Sequence, residues 1–227
     1  MGLLITFEGG DGSGKSTQAT LFYQRLKAEG QAAFAIPSEK VVLTHEPGGT
    51  SFGEMVGDLI KRRATFKWVQ RQLLEINGER VDPRTELLLF EASRAQLVAE
   101  VIHPTLGQGG LVICDRFTDS TLAYQGYGRG LDLSFIRALN CFAAQDLKPD
   151  LTILLDIPVE VALSRKVAPP NKDRLGAEQI AFHERVRHGY LTLAIAEPQR
   201  WFMVDGTLPP ERIARQIWER AEAFLER

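Results

Sequence analysis

The residues Gly9-Gly10-Asp11-Gly12-Ser13-Gly14-Lys15-Ser16 combine four glycines, a lysine and a hydroxyl at the spacing G-x-x-x-x-G-K-[ST]. That combination suits the binding of a polyphosphate. Glycines let successive backbone N–H groups converge on phosphate oxygens, and a helix that starts at the lysine adds a favourable dipole. Lys15 carries a mobile positive charge toward the β- and γ-phosphates, and the Ser16 hydroxyl is a ligand for Mg²⁺. Nucleotide phosphates are therefore expected on Gly9, Gly10, Asp11, Gly12, Ser13, Gly14, Lys15, Ser16 and Thr17. Asp11 is the odd member, because a carboxylate beside phosphates is electrostatically costly. It is expected to face another part of the ligand, such as a sugar hydroxyl, although a solvent-exposed loop aspartate would look the same.

A second group lies far along the chain. Asp115-Arg116 ends an apolar run, the place where open α/β sheets hold ligands. Asp115 can hold Mg²⁺ directly or through water, and Arg116 offers a fork to a phosphate. Phe90 and Arg94 are spaced i, i+4 within a helical stretch and so share one face. An aromatic ring with a guanidinium beside it can take a planar base, or can be a core phenylalanine next to a solvated arginine. Ser120, Thr121, Tyr124 and Gln125 follow Asp115 closely. The Gln125 amide can pair with an imide edge, carbonyl to N–H and N–H to carbonyl; taken singly, each of the four also suits turn or capping chemistry.

Elements able to position these groups are legible in the apolar pattern. Leu3–Phe7, Val41–Thr44, Leu111–Asp115, Leu151–Asp156 and Trp201–Val204 are short and rich in Val, Ile and Leu, as strands buried on both faces are. Between them, helices are expected over Lys15–Glu29, Glu54–Arg63, Pro83–His103, Leu133–Gln145, Val159–Lys166, Glu178–Ala196 and Glu211–Leu225, with Pro104 just beyond the third. The alternation predicts an α/β fold: a five-stranded parallel sheet flanked by helices on both faces, in one domain over 1–227. Turn residues mark Glu46–Thr50, Gln125–Gly130 and Val167–Lys172 as functional loops.

Composition narrows the partners. A formal net charge of −2 with no basic stripe gives no case for nucleic acid or membrane binding. No apolar run approaches the roughly 18 residues of a membrane span. Cys114 and Cys141 belong to no zinc or redox pattern, so a reducing, cytoplasmic setting is expected. His183 and His188 lie five apart on one helical stretch and do not stack as metal ligands. A GTPase switch would need D-x-x-G after the second phosphate-site strand, but Asp115 is followed by Arg-Phe-Thr; Asn171-Lys172-Asp173-Arg174 also puts its aspartate one place early for guanine.

Taken in order, the chain resembles the thymidylate kinases, a family of P-loop nucleoside-monophosphate kinases. The resemblance rests on the phosphate loop with Asp11, Glu46-Pro47-Gly48-Gly49-Thr50, Leu88-Leu89-Phe90 with Arg94, Asp115-Arg116-Phe117, Ala123-Tyr124-Gln125-Gly126, Lys148-Pro149-Asp150 and Asp173-Arg174. It implies Mg²⁺-dependent transfer of the γ-phosphoryl group of ATP to dTMP, in a homodimer. Another nucleoside-monophosphate or deoxynucleoside kinase of the same fold is the alternative.

By resemblance, Phe90 stacks on thymine, Arg94 reaches its carbonyl, and Gln125 with Thr121 reads the imide edge. Asp11 takes the 3′-hydroxyl, Tyr124 crowds the 2′ position, and Arg116 clamps the acceptor phosphate. The segment 166–176 resembles the family's lid, with Arg174 or Lys172 near the transferring group. Gly12 stands where some members carry an arginine, so the chain resembles the bacterial type, in which the lid supplies that charge. His45 stands where the family has an arginine, which shifts acceptor-phosphate binding toward Arg116. The stretches Ala33–Lys40 and Thr65–Asp82 look longer than the family core.

Overall fold

The computed structural model describes residues 2–34, 36–61, 81–165 and 180–225. Its frame is a parallel sheet of β1 (Leu3–Glu8), β2 (Val41–His45), β3 (Leu111–Asp115), β4 (Leu151–Asp156) and β5 (Trp201–Asp205) in the order β2-β3-β1-β4-β5. β1 is flanked by β3 and β4, with Phe7 in register with Asp115 and with Ile153. The central strands β1, β3 and β4 are covered on both faces, as the absence of alternation predicts, while the edge strands β2 and β5 are only partly buried. The C-terminal ends of β1 and β3 thus open side by side, and the phosphate loop leaves from β1.

One face of the sheet is closed by α1 (Lys15–Phe34) and the C-terminal helix, Pro210–Leu225, through Phe22, Leu26, Ile217 and Trp218. The other meets Leu97 at the end of α3 (Pro83–Leu97), and α2 (Ser51–Lys61) packs against α3. α3 begins at a proline because the first helical position needs no N–H donor, and Asp82 caps it by accepting from Arg84 N at 2.9 Å.

Two local expectations are corrected. The third helix does not stop before Pro104. After Leu97 it widens into a π turn over Val98–Ile102 and continues as α4 (His103–Gly107). The His103 N–H reaches back to Val98 O, and this wider turn places Pro104 in a first helical turn, where its missing N–H costs nothing. Nor is Gln125–Gly130 a loop. A short helix, α5 (Thr118–Thr121), passes into a π-helical segment over Leu122–Gly128. Gly128 permits this packing, since a Cβ there would lie 2.7 Å from the Phe182 ring.

Then follow α6 (Leu133–Ala144), α7 (Val159–Arg165), α8 (Ile180–Ala196) and α9 (Pro210–Leu225). Ser38–Lys40 of the first long stretch is a 3₁₀ turn, while most of Thr65–Asp82 lies outside the described residues, as does the segment 166–176 with Lys172 and Arg174.

Candidate active site

β1 delivers the chain directly into the phosphate loop, and Gly9, Gly12 and Gly14 all hold positive φ there. At Gly12 (φ +81) a side chain would also run into the Ala162 carbonyl of α7, which explains in packing terms why no arginine occupies this position. Lys15 is buried at the start of α1, with Nζ 3.4 Å from Gly10 O. Burial, then the Arg116 charge, pushes its ammonium down to about 8.

Ser16 and Asp115, 99 residues apart, meet where the start of α1 faces the end of β3: the Ser16 hydroxyl donates to Asp115 Oδ2. Asp115 Oδ1 is buried and, among the described residues, takes no hydrogen bond. A hydroxyl beside a half-satisfied carboxylate is the sparse oxygen donor set that Mg²⁺ uses when phosphates and water complete its shell. Among the described residues there is no cluster of three or more His, Cys, Asp or Glu side chains able to hold a metal. Mg²⁺ does not require one.

Arg116 adopts φ 72, a left-handed conformation rare outside glycine, held by its own N–H on Phe7 O at 3.0 Å. The turn aims the guanidinium back over the phosphate loop. Nη2 donates to Asp11 Oδ1 at 2.5 Å and to Tyr124 OH at 3.1 Å; Nη1 donates to Ser120 Oγ at 3.2 Å and Tyr190 OH at 3.3 Å. Tyr124 OH donates to the same Asp11 oxygen at 2.9 Å. Asp11 is thus tied to the residues downstream of β3.

These groups share one cavity of about 540 Å³, whose lining joins Lys15, Ser16 and Asp115 to Phe90, Thr121, Tyr124 and Gln125. The size is that of a small-ligand site. Phe90 presents a half-buried ring to it from α3. Arg94, one turn further along α3, also reaches the cavity but is 1% exposed. Its Nε and Nη2 hold the Glu46 carboxylate, the Nη2 bond at 2.6 Å; Nη2 also donates to Thr121 Oγ1 at 2.8 Å, and Nη1 to Glu91 at 2.8 Å and Asn140 at 2.6 Å. Sequence spacing suggested a free arm; the structure shows a guanidinium with every donor committed. Burial pushes the Glu46 carboxylate up to about 7 against the pull of Arg94. His45, exposed at the cavity edge, pairs with Glu54 at 3.1 Å.

Several members of the site were not found in the sequence. Glu8, fully buried at the end of β1, accepts from Phe117 N at 2.8 Å, Ser120 Oγ at 2.6 Å and Tyr190 OH at 3.0 Å. Burial, then Asp119, pushes its carboxyl up to about 7. A carboxylate closing an apolar strand was the available signal. Glu86 had one too, since Glu86, Phe90 and Arg94 repeat every four residues on α3. Tyr190 and Asn140 carried none, because only the packing of α8 and α6 brings them here. Of the predicted site residues, Asp11, Lys15, Ser16, Phe90, Arg94, Asp115, Arg116, Thr121, Tyr124 and Gln125 line this cavity; Gly9, Gly10, Gly12, Ser13, Gly14 and Thr17 do not, Thr17 being exposed in the first turn of α1, and Arg174 lies outside the described residues.

The chain as a whole is similar to known proteins. The family model described as thymidylate kinase matches residues 7–217. A thymidylate kinase of Thermomicrobium roseum is 45% identical over 228 residues, covering 100% of this chain and 98% of that protein. One from Pseudomonas fluorescens is 45% identical over 226 residues, covering 100% and 98%. The crystal structure of a thymidylate kinase from Ehrlichia chaffeensis superposes with a TM-score of 0.71 at 33% identity, over 97% of this chain and 98% of that one.

Proposed function

This chain belongs to the thymidylate kinase family, and from that premise we propose how its residues divide the work of moving the γ-phosphoryl group of ATP onto dTMP, giving ADP and dTDP. A 5′-phosphate oxygen of dTMP attacks the γ-phosphorus, and the bond from that phosphorus to the β-phosphate oxygen breaks. The attacking oxygen is already ionised, so no strong base is required. The barrier is the repulsion of two polyanions that must come into line.

On this reading the phosphate loop holds the ATP phosphates, and Lys15 places its ammonium against them. Arg116 holds the dTMP phosphate, drawn over the loop by its left-handed backbone. Phe90 stacks on thymine. Thr121, whose oxygen accepts from Arg94, has its hydroxyl hydrogen left to donate to a thymine carbonyl, so Arg94, its own donors committed, acts on the base through Thr121. Gln125 reads N3–H, Asp11 receives the 3′-hydroxyl, and the Tyr124 ring fills the space a 2′-hydroxyl would need. Ser16 and Asp115 would hold Mg²⁺, which neutralises phosphate charge when bound. Arg174 or Lys172 of the lid supplies the remaining cation at the transferring group.

The carrying observation is that one cavity is lined by Lys15, Ser16 and Asp115 together with Phe90, Gln125, Arg116 and Asp11. Calorimetric titration with dTMP tests it. Arg116→Met and Phe90→Ala are expected to bind dTMP at least about tenfold more weakly while ATP affinity holds, given what a charged contact or a base stack contributes. Unchanged dTMP affinity in both would contradict the assignment.

The homodimer belongs to the same proposal. Phe52, Met55 and Leu59 line one exposed stripe of α2, Leu88 stands out from α3, and Phe135 and Phe142 from α6. These three helices pack side by side, so the stripe forms one apolar face suited to a second copy. Cytoplasmic placement follows from the substrates and suits the two free thiols.

A further inference from the structure

Glu86 is a carboxylate at 0% exposure on α3, one helical turn before Phe90, where an unpaired charge would be costly. It accepts from Gln125 Nε2 at 2.8 Å, and Arg129 donates to both of its oxygens at 3.2 Å. Arg129 is in turn pinned over the Phe182 ring of α8, 4.5 Å from its centroid. We infer that Glu86 is a specificity-determining positioning residue: it fixes which way the Gln125 amide faces, and so which base edge the cavity accepts. The inference rests on the reading of Gln125 as the residue that meets the base.

A glutamine amide is ambidextrous. Its carbonyl accepts, its nitrogen donates, and a half-turn about the last side-chain bond exchanges the two. A free Gln125 could therefore serve thymine, with a donor at N3 and an acceptor at O4, or flip and serve cytosine, which has an acceptor at N3 and a donor at N4. Glu86 removes that freedom. Its carboxylate, held by the Arg129 guanidinium, accepts hydrogen bonds and gives none, so the amide nitrogen must turn toward it. The Gln125 carbonyl is then the atom set to meet the base at N3. Thymine satisfies it; cytosine would place two acceptors together, and a buried acceptor left unpaired is penalised strongly. Gln125 is itself 1% exposed, so water cannot relieve the mismatch.

The test is the ratio of kcat/KM for dTMP to that for dCMP. In Glu86→Gln the new amide can donate as well as accept, freeing Gln125 to flip. The ratio is expected to fall by about tenfold or more, chiefly through a gain on dCMP. Glu86→Asp withdraws the carboxylate by one methylene and keeps the charge for Arg129; it is expected to shift the ratio the same way, and decides the matter if the glutamine variant does not fold. An unchanged ratio in a folded variant, or equal losses on both nucleotides, would overturn the inference, since a merely structural glutamate moves both alike. Gln125→Met separates the two layers. A collapsed ratio there beside an unmoved one in the Glu86 variants refutes the role of Glu86 alone; an unmoved ratio in Gln125→Met refutes the base-reading role of Gln125, and the inference with it.

Discussion

Arg116 Nη2 lies 2.5 Å from Asp11 Oδ1, so the end of β3 is bound to the phosphate loop through a charge pair, not through packing alone. The pair orders two groups with different tasks: Arg116 for the acceptor phosphate and Asp11 for the sugar. If Asp11 receives the 3′-hydroxyl, removing that hydroxyl from the substrate and removing the carboxylate from the protein should not be additive. The wild-type protein is expected to use 3′-deoxy-dTMP about tenfold or more less efficiently than dTMP, the scale of a hydrogen bond to a charged group. In Asp11→Asn that gap should shrink. A gap of the same size in the variant would refute the role.

The hydrogen bond from Ser16 to Asp115 leads to a metal prediction. Chelation should abolish turnover. Ser16→Ala and Asp115→Asn are each expected to raise the Mg²⁺ concentration for half-maximal rate by about tenfold or more, with saturating Mg²⁺ restoring part of the rate. Unchanged Mg²⁺ dependence in both would remove them from the metal site.

The buried Glu8 carboxyl gives a stability prediction. Its pKa is raised to about 7 from an ordinary 4.5, so between those values the native protein binds more protons than the unfolded chain. The contribution is complete below pH 4.5 and is lost as pH rises through 7. Glu8→Gln, which cannot titrate, should therefore gain on the wild-type protein between pH 5 and 8, read as the difference in Tm. A difference that stays constant across this range would contradict the shift.

Lys15→Ala should leave the fold intact by circular dichroism and lower turnover by about 10²-fold or more, as loss of a preorganised charge at a transferring phosphoryl group does. Near wild-type turnover would refute the role.

How far the site was legible in the sequence depends on how far each contact reaches. The phosphate loop is contiguous, so Gly9–Ser16 declared itself, and β3 and β4 had their observed ends because their apolar runs stop at Asp115 and Asp156. Phe90 and Arg94 were found by helical spacing. The same spacing left Arg94 as an open choice between ligand and solvated residue; neither matches a guanidinium buried by Glu46, Glu91 and Asn140, because only Glu91 lies on the same helix and the other two are 48 and 46 residues away. The Pro104 boundary failed for a different reason. Proline forbids the ordinary helical bond, and a π turn is a second way to obey that rule. Tyr190, 182 residues from Glu8, could be placed only once α8 was packed against the sheet.

The central claim is that this cavity joins ATP to dTMP. ADP release measured over dTMP, dUMP, dCMP, dAMP and dGMP at fixed ATP and Mg²⁺ tests it most directly. A strong preference for dTMP, with purine monophosphates at background, is the predicted result. Equal or greater turnover with a purine monophosphate would contradict the reading of Phe90, Thr121 and Gln125 as a thymine site.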